Sequence, residues 1–228
     1  MKNQLLIFDL DGTLFDTPSA IVEVFSGVFS LTDVPVPPPE SIRSTIGLPL
    51  PAAFALLTGE SEDSEQVTDC VSRYLAHFRT LILPKAVDLL YPGVADGLGL
   101  LRTNKITLAV ATNKFQASAE AILGASAILP FFAVVLGADQ VDNPKPHPEA
   151  VERILQQTGA DRESTLMIGD TTHDVQMANA AGIRSIGVTY GVHNHQQIMA
   201  AKPTHLAASF QDVLSIIAEN TWKGKAYA

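Results

Sequence analysis

LLIFDLDGT, residues 5–13, is the stretch of sequence on which the fold depends. Its first half is a short apolar run bounded by Gly12, which is typical of a strand buried on both faces in a parallel sheet. Asp9 and Asp11 follow two residues apart, so an extended chain points both side chains to the same side. Carboxylates held this close repel each other unless a cation or a shared proton offsets them. The stretch therefore predicts a cation site or, alternatively, an acidic turn that caps the next helix.

The composition predicts a compact protein of one or two domains, because 46% of the 228 residues are hydrophobic and only 17% are charged. A net charge of −9 argues against a nucleic-acid surface, which needs clustered Lys and Arg. The single cysteine, Cys70, excludes an internal disulfide and is consistent with a reducing compartment. The apolar runs are too short for a signal peptide or a membrane span. We therefore expect a cytoplasmic protein that binds neither nucleic acid nor membrane.

Residues 17–85 are predicted to form a helical insert. Apolar residues recur at helical spacing after Thr17 and again between about residues 62 and 81. Two short helices are expected at 40–46 and 51–57, and no strand pattern occurs in this region. We expect the chain to enter the insert near Asp16 and to leave it through residues 84–93.

The remaining sequence, residues 1–16 and 86–228, alternates strands with helices and is predicted to form one core domain. The predicted strands after the first are residues 106–111, 132–136, 165–168, 185–188 and 205–207. This alternation indicates an α/β fold, a Rossmann-like parallel sheet covered on both faces and connected by right-handed crossovers. In such sheets the ligand site lies at the carboxyl ends of the strands.

Polar side chains occur at or just past the ends of several predicted strands. They are Asp9, Asp11, Thr112, Asn113, Lys145, Asp170 and Asp174. Carboxylates that converge on one sheet edge make a hard, oxygen-rich site, for which Mg²⁺ is the expected ion. A lysine and a threonine beside them supply charge and hydrogen bonds for phosphoryl oxygens. The set is therefore typical of phosphoryl transfer, in which a carboxylate can act as the nucleophile.

Four motifs resemble the signatures of the haloacid dehalogenase superfamily, in the same order. They are DLDGT (9–13), ATN (111–113), the lysine of NPKPHP (143–148) and GDTTHD (169–174). The longer segment 169–191 is similar to the phosphoglycolate phosphatases and their relatives within this superfamily. The insert resembles the small helical cap domain of the superfamily in position and helical character. The resemblance thus covers the whole core and implies a haloacid dehalogenase-like core with an inserted cap.

The resemblance also implies a mechanism that uses two aspartates. Asp9 would attack phosphorus and become an aspartyl phosphate. Asp11 would protonate the leaving alcohol and later activate the water that hydrolyses the intermediate, while its backbone carbonyl contributes to the metal site. Dehalogenases of this group lack the second aspartate, so Asp11 favours phosphate ester chemistry.

The remaining roles follow from the same resemblance. The metal ligands would be Asp9, Asp11, Asp170 and Asp174, the last either as a ligand or as an outer partner that orients bound water. The substrate-binding residues would be Gly12, Thr13, Thr112 and Asn113, while Lys145 would pair with both nucleophile and phosphate. Arg43 is a further candidate for contact with the leaving group, on its position in the insert alone.

Simpler interpretations of individual residues stay open. In these interpretations, Lys145, which lies between prolines, is a solvated loop residue. Asp174 only stabilises a helix N-terminus, and Arg43 is an exposed surface residue. The predicted function is an Mg²⁺-dependent phosphatase of a small phosphorylated metabolite, with phosphoglycolate as the first candidate. Thr13 favours a phosphatase, since related phosphomutases often carry Val there. The alternatives are a sugar phosphomutase, a pyrophosphatase or a phosphate-binding module without turnover.

Overall fold

The computed structural model describes residues 4–219. The predicted core domain reaches residue 228, so the prediction for residues 1–3 and 220–228 lies outside the described chain. Within the described range, none of the helices is both long and apolar enough to cross a membrane.

A six-stranded, all-parallel sheet forms the core, with the strand order β3-β2-β1-β4-β5-β6. The strands are β1 Leu5–Phe8, β2 Thr107–Ala111, β3 Val134–Leu136, β4 Thr165–Gly169, β5 Arg184–Val188 and β6 His205–Ala207. The chain adds β2 and then β3 on one side of β1, and afterwards adds β4, β5 and β6 on the other side. The direction of strand addition therefore changes between β1 and β4, which makes this position a topological switch point. The predicted Rossmann-like α/β fold is confirmed.

Helices cover both faces of the sheet, and β1 shows why its sequence is apolar throughout. Leu6 and Phe8 belong to one apolar cluster, while Leu5 and Ile7 belong to another on the opposite face. The side chains of β1 thus alternate between two buried faces, and all four are fully buried. The helices of this part of the chain are α5 Val94–Thr103, α6 Gln116–Ala125, α7 Glu149–Thr158, α8 Thr172–Ala180, α9 His195–Ala200 and α10 Phe210–Ala218.

The insert is helical, as predicted. It contains α1 Pro18–Phe29, α2 Pro39–Arg43, α3 Leu50–Thr58 and α4 Glu65–His77, followed by a π-helical turn Phe78–Ile82 and a 3-10 turn Leu83–Lys85. Three aromatic rings hold these helices together, since the ring centroid of Phe25 lies 4.5 Å from that of Phe54 and 5.0 Å from that of Tyr74. All three rings belong to the apolar cluster that also contains Leu6 of the sheet. The division of the chain into a core domain and a cap at residues 17–85 stays a prediction.

Some element bounds differ from the prediction. The predicted strand 132–136 begins only at Val134, because Pro130 and its neighbours form a 3-10 turn at Leu129–Phe131. Helix α9 was not predicted, although Asn194 and Gln197 form a capping box at its start, a pattern that is visible in the sequence. Both differences lie away from the motif-bearing strand ends.

Candidate active site

Three carboxylates meet at the ends of β1 and β4. Asp9, Asp170 and Asp174 each present a carboxylate oxygen, and these oxygens lie within 4.8 Å of one another. The sheet register explains the meeting, because Phe8 pairs with Ile168 and the Asp9 N–H donates to the Ile168 carbonyl at 2.9 Å. The three side chains are almost completely buried. The pairing of two adjacent strands therefore brings together acidic residues that lie more than 160 positions apart in the sequence.

Lys145 is buried among these carboxylates rather than solvated. Its Nζ lies 2.6 Å from Asp174 Oδ1 and 3.0 Å from Asp9 Oδ1, and the residue is only 4% exposed. Burial by itself would lower the pKa of the ammonium, but Asp174 and Asp9 raise the pKa above its ordinary value. The side chain therefore carries a fixed positive charge between two of the three acids.

One ammonium does not balance three carboxylates. Burial raises the pKa of the Asp9 carboxyl to about 6, with Lys145 opposing and Asp174 adding to the shift. Burial, followed by the charges of Asp9 and Asp174, also raises the pKa of Asp170 well above its usual range. In addition, Asp9 Oδ1 is buried and makes no hydrogen bond of good geometry within residues 4–219. Excess negative charge and three buried carboxylates that converge on one point fit a hard divalent cation such as Mg²⁺.

Gly12 and Thr13 act on Asp170. The Thr13 hydroxyl donates to Asp170 Oδ1 at 2.8 Å, and the Val192 N–H donates to Oδ2 at 2.8 Å. Gly12 has a φ of +84°, and a Cβ there would lie 2.1 Å from Asp170 Oδ2. The Gly12 N–H itself donates to the Phe15 carbonyl at 2.8 Å. In this structure the two predicted substrate-binding residues thus fix the position of a candidate metal ligand.

Asp174 caps a helix and also belongs to the acidic cluster. Its Oδ2 accepts hydrogen bonds from the Thr171 N–H at 3.0 Å and from the Thr171 hydroxyl at 2.7 Å, which caps α8. Its other oxygen pairs with Lys145. Capping therefore orients the carboxylate toward the lysine and the other acids.

Asp11 lies outside the three-carboxylate cluster. Its Oδ2 lies 2.8 Å from Lys114 Nζ, and its Oδ1 accepts a hydrogen bond from the Thr17 hydroxyl at 2.6 Å. The strand ends at Phe8 and the backbone then turns, so the side chain of Asp11 points toward the insert. Lys114 was not predicted as a site residue, although its place directly after the ATN motif at the end of β2 was a usable signal.

Asn113 connects the site to the insert. Its Nδ2 donates to the Gly47 carbonyl at 2.7 Å and to the Lys145 carbonyl at 3.1 Å, and its Oδ1 accepts from the Lys145 N–H at 3.1 Å. Thr112 lines the adjoining cavity, and its hydroxyl accepts a long hydrogen bond of 3.3 Å from the Lys114 N–H. The side chain of Asn113 is thus occupied by backbone groups, whereas the hydroxyl of Thr112 lies beside open space.

Arg43 also joins the insert to the core. Its Nη2 donates to the Gly191 carbonyl at 3.3 Å, and the residue is half-buried. It is not part of the lining of the cavity described below. Its predicted contact with a leaving group stays a prediction, while its observed contact is a bond between two segments 148 residues apart.

A cavity of about 60 Å³ lies between the strand ends and the insert. The core contributes Asp9, Asp11, Thr112, Asn113, Lys114, Phe115 and Ser118 to its lining. The insert contributes Ile21, Phe25, Thr45, Ile46, Gly47, Leu48, Leu50, Ala53, Tyr74 and Leu75. The cavity therefore has one charged wall and one largely apolar wall.

Comparisons with known proteins agree with this architecture. The family model described as haloacid dehalogenase-like hydrolase matches residues 6–188. The chain therefore belongs to the haloacid dehalogenase-like hydrolase family, as the four motifs predicted.

Two curated relatives are phosphatases by name. The chain is 47% identical to "Probable phosphatase IndB" of Dickeya dadantii, over 92% of this chain and 91% of that protein. It is 31% identical to a phosphoglycolate phosphatase of Salmonella typhi, over 91% of this chain and 89% of that protein. Among solved structures, a haloacid dehalogenase-like family hydrolase of Streptococcus pneumoniae has a TM-score of 0.79 and 26% identity, covering 94% of this chain and 98% of that one. The chain is thus homologous to phosphatases of this family.

Proposed function

We propose that the protein is an Mg²⁺-dependent phosphatase that hydrolyses a small phosphomonoester through an aspartyl phosphate on Asp9. The observation that carries the proposal is that Asp9 lines the cavity and also belongs to the buried cluster of three carboxylates beside Lys145. A carboxylate nucleophile must reach the substrate, and a lysine beside it can offset the charge on the transferred group. Homology to phosphatases supports the same class of reaction.

The acidic cluster supplies the proposed metal site. Asp9 and Asp170, with Asp174 beside them and the Asp11 backbone carbonyl, would hold Mg²⁺. When bound, the ion would supply positive charge that offsets the carboxylates and the charge on the phosphoryl oxygens. Thr13 and Val192 keep Asp170 in place for this role.

Asp9 and Asp11 would divide the chemistry between them. An Asp9 oxygen forms a bond to phosphorus, the bond from phosphorus to the alcohol oxygen breaks, and Asp11 donates a proton to that oxygen. In the second step Asp11 takes a proton from water, the water oxygen bonds to phosphorus, and the bond to Asp9 breaks to release phosphate. Lys114 and Thr17 hold Asp11 at the border of the insert, where a leaving group would lie.

Lys145 and Thr112 would position the phosphoryl group. The ammonium of Lys145 already lies 3.0 Å from Asp9 Oδ1, so it can contact both the nucleophile and the transferred group. Thr112 lines the cavity together with Asp9. Asn113 would act on this geometry by fixing the backbone of Lys145.

We further propose that residues 17–85 act as a cap that closes over the site. The bonds from Asn113 to Gly47 and from Arg43 to Gly191 join cap and core in a closed arrangement. Segments 16–18 and 84–93 would form the hinge. Closure would exclude water from the charged wall until the leaving group departs.

The test is release of inorganic phosphate from a panel of phosphorylated metabolites with Mg²⁺, compared with and without a chelator. Phosphoglycolate belongs in the panel because the Salmonella typhi relative carries that name. Asp9→Asn should lower kcat at least about 10⁴-fold, because it removes the nucleophile. Asp33→Asn, a change at an exposed aspartate of the insert, is the matched control and should leave kcat unchanged.

The outcomes separate the alternatives. Circular dichroism should show that Asp9→Asn keeps the fold, and hydrolysis retained by that variant would refute the nucleophile assignment. A phosphomutase would convert a sugar phosphate without releasing phosphate, and a pyrophosphatase would act on pyrophosphate rather than on phosphomonoesters. A phosphate-binding module would bind phosphate without turnover of any compound.

A further inference from the structure

The insert contributes no cationic group to the apolar wall of the cavity, whereas a site for a negatively charged leaving group needs one. Eight side chains of this wall come from the insert and carry no charge: Ile21, Phe25, Ile46, Leu48, Leu50, Ala53, Tyr74 and Leu75. Phe115 of the core continues the same surface. Within the whole lining, the charged side chains are Asp9, Asp11 and Lys114.

Lys114 is the only cation of that lining, and it is already engaged. Its Nζ lies 2.8 Å from Asp11 Oδ2 and 4.6 Å from the centroid of the Phe78 ring. The lysine side chain is only 7% exposed. A carboxylate on the leaving group would therefore have to compete with Asp11 for this ammonium.

The cost of a negative charge in this position is large. A carboxylate moved from water to an apolar wall loses its hydration and gains no paired cation, and Asp11 repels it. An uncharged group loses little on the same transfer and gains from apolar contact.

We infer that the leaving group is an uncharged alcohol with a largely apolar body, so that the substrate is a phosphomonoester whose only charge is on the phosphoryl group. This inference rests on the proposed phosphatase function. The hydroxyls of Tyr74 and Ser118 lie in the lining and allow hydrogen bonds to an uncharged polar substituent. The wall thus selects against carboxylated esters such as phosphoglycolate.

An outer depression gives the leaving group room to extend. It adjoins the cavity through the shared residues Leu75, Phe115 and Ser118, and has a volume of about 230 Å³. One cation, Arg79, and one anion, Asp139, line it. The leaving group would extend from the inner cavity into this depression.

The first experiment compares matched esters with Mg²⁺ present. The pairs are phosphoglycolate with glycolamide phosphate, and 4-carboxyphenyl phosphate with phenyl phosphate, which differ mainly in the carboxylate. The uncharged member of each pair should have a kcat/KM at least about 10-fold higher, because burial of the carboxylate is uncompensated. Equal or higher kcat/KM for the carboxylated members would overturn the inference.

A variant tests the wall itself. Leu50→Lys places an ammonium in the apolar wall and should shift the ratio of kcat/KM at least about 10-fold toward the carboxylated esters, mainly through KM. Leu56→Lys is the matched control, because Leu56 is 67% exposed on the same helix α3 and outside the lining. An unchanged ratio in folded Leu50→Lys would contradict the role of the wall. If that variant does not fold, the ratios of the wild-type protein decide the question.

The two proposals fail in different ways. If neither these esters nor p-nitrophenyl phosphate releases phosphate with Mg²⁺, the phosphatase function fails. If phosphate is released but the carboxylated esters are preferred, only the inference about the leaving group fails.

Discussion

The two walls of the cavity are built on opposite physical principles. The core wall carries the charged side chains of Asp9, Asp11 and Lys114. Outside the lining, Asp170, Asp174 and Lys145 form a buried cluster with Asp9, and hydrogen bonds from Thr13, Thr171 and Val192 fix the positions of Asp170 and Asp174. The insert wall holds aliphatic and aromatic side chains. Charges in a low-dielectric site interact strongly and must be placed accurately, whereas apolar contacts are non-directional and tolerate change. On the proposed function, the chemistry belongs to the sheet edge and the selection of the leaving group to the helices of the insert.

The largest effect should come from Lys145→Met, which removes the cation of the buried acidic cluster. This change leaves Asp9 and Asp174 buried without their cation, and removing one partner of a buried ion pair costs about 3 kcal/mol or more. The free energy of unfolding should fall by this amount in metal-free buffer, measured by urea denaturation. The kcat for phosphate release should also fall at least about 100-fold, because a charge beside the transferred group is lost.

Lys105→Met is the control for this prediction, since Lys105 is exposed on the surface. It should change neither quantity. If the free energy of unfolding of Lys145→Met equals that of the wild-type protein, Lys145 does not stabilise the buried acidic cluster.

Binding of Mg²⁺ is expected to have an effect of intermediate size on the free energy of unfolding. Mg²⁺ that binds the folded protein at 100 times its Kd adds about 2.7 kcal/mol to the free energy of unfolding. For a chain of this size each kcal/mol raises Tm by about 2–4 °C. Differential scanning fluorimetry should show this rise in the wild-type protein and not in Asp170→Asn, which loses one carboxylate of the cluster.

The same measurement on Asp33→Asn should show the full rise in Tm, because Asp33 lies in the insert, away from the cluster. An equal rise in Asp170→Asn would place the ion elsewhere, and the three carboxylates would then need another explanation.

The smallest effect should come from Arg43→Ala, which loosens a contact between the insert and the core outside the cavity lining. It removes the hydrogen bond of 3.3 Å to the Gly191 carbonyl, a partly exposed bond worth about 1 kcal/mol. The kcat/KM for the preferred substrate should fall about 5-fold. Arg73→Ala, at an arginine of α4 that pairs with Asp69 on the same helix, should have no effect. Unchanged kcat/KM in Arg43→Ala would remove Arg43 from the list of functional candidates.

Much of the fold was predictable because its signals are local. The apolar run of β1, the alternation of strands and helices, and the polar residues after the strands all follow from sequence periodicity. Bounds were less accurate where a proline changes the local backbone, as at Pro130 before β3. The π-helical turn after α4 was also not predicted, because no local pattern indicates that the helix widens at Phe78.

The candidate site was predictable in membership but not in contacts. The sequence indicated the acids and Lys145, since each stands in a motif at a strand end. It did not indicate that Thr13 binds Asp170, or that Asn113 is engaged by the Gly47 carbonyl. These contacts join segments 66 to 157 residues apart, so no local spacing reports them.

The sequence was sufficient to identify the parallel α/β core, the family and the set of acidic residues at the strand ends, because hydrophobic periodicity and the order of the motifs can be seen without a structure. Only the tertiary structure decided which acids meet, that Asp11 pairs with Lys114, and that the facing wall is apolar. The physical reason is that charge balance and the polarity of a cavity depend on distances between segments, and those distances exist only once the sheet and the insert have packed together.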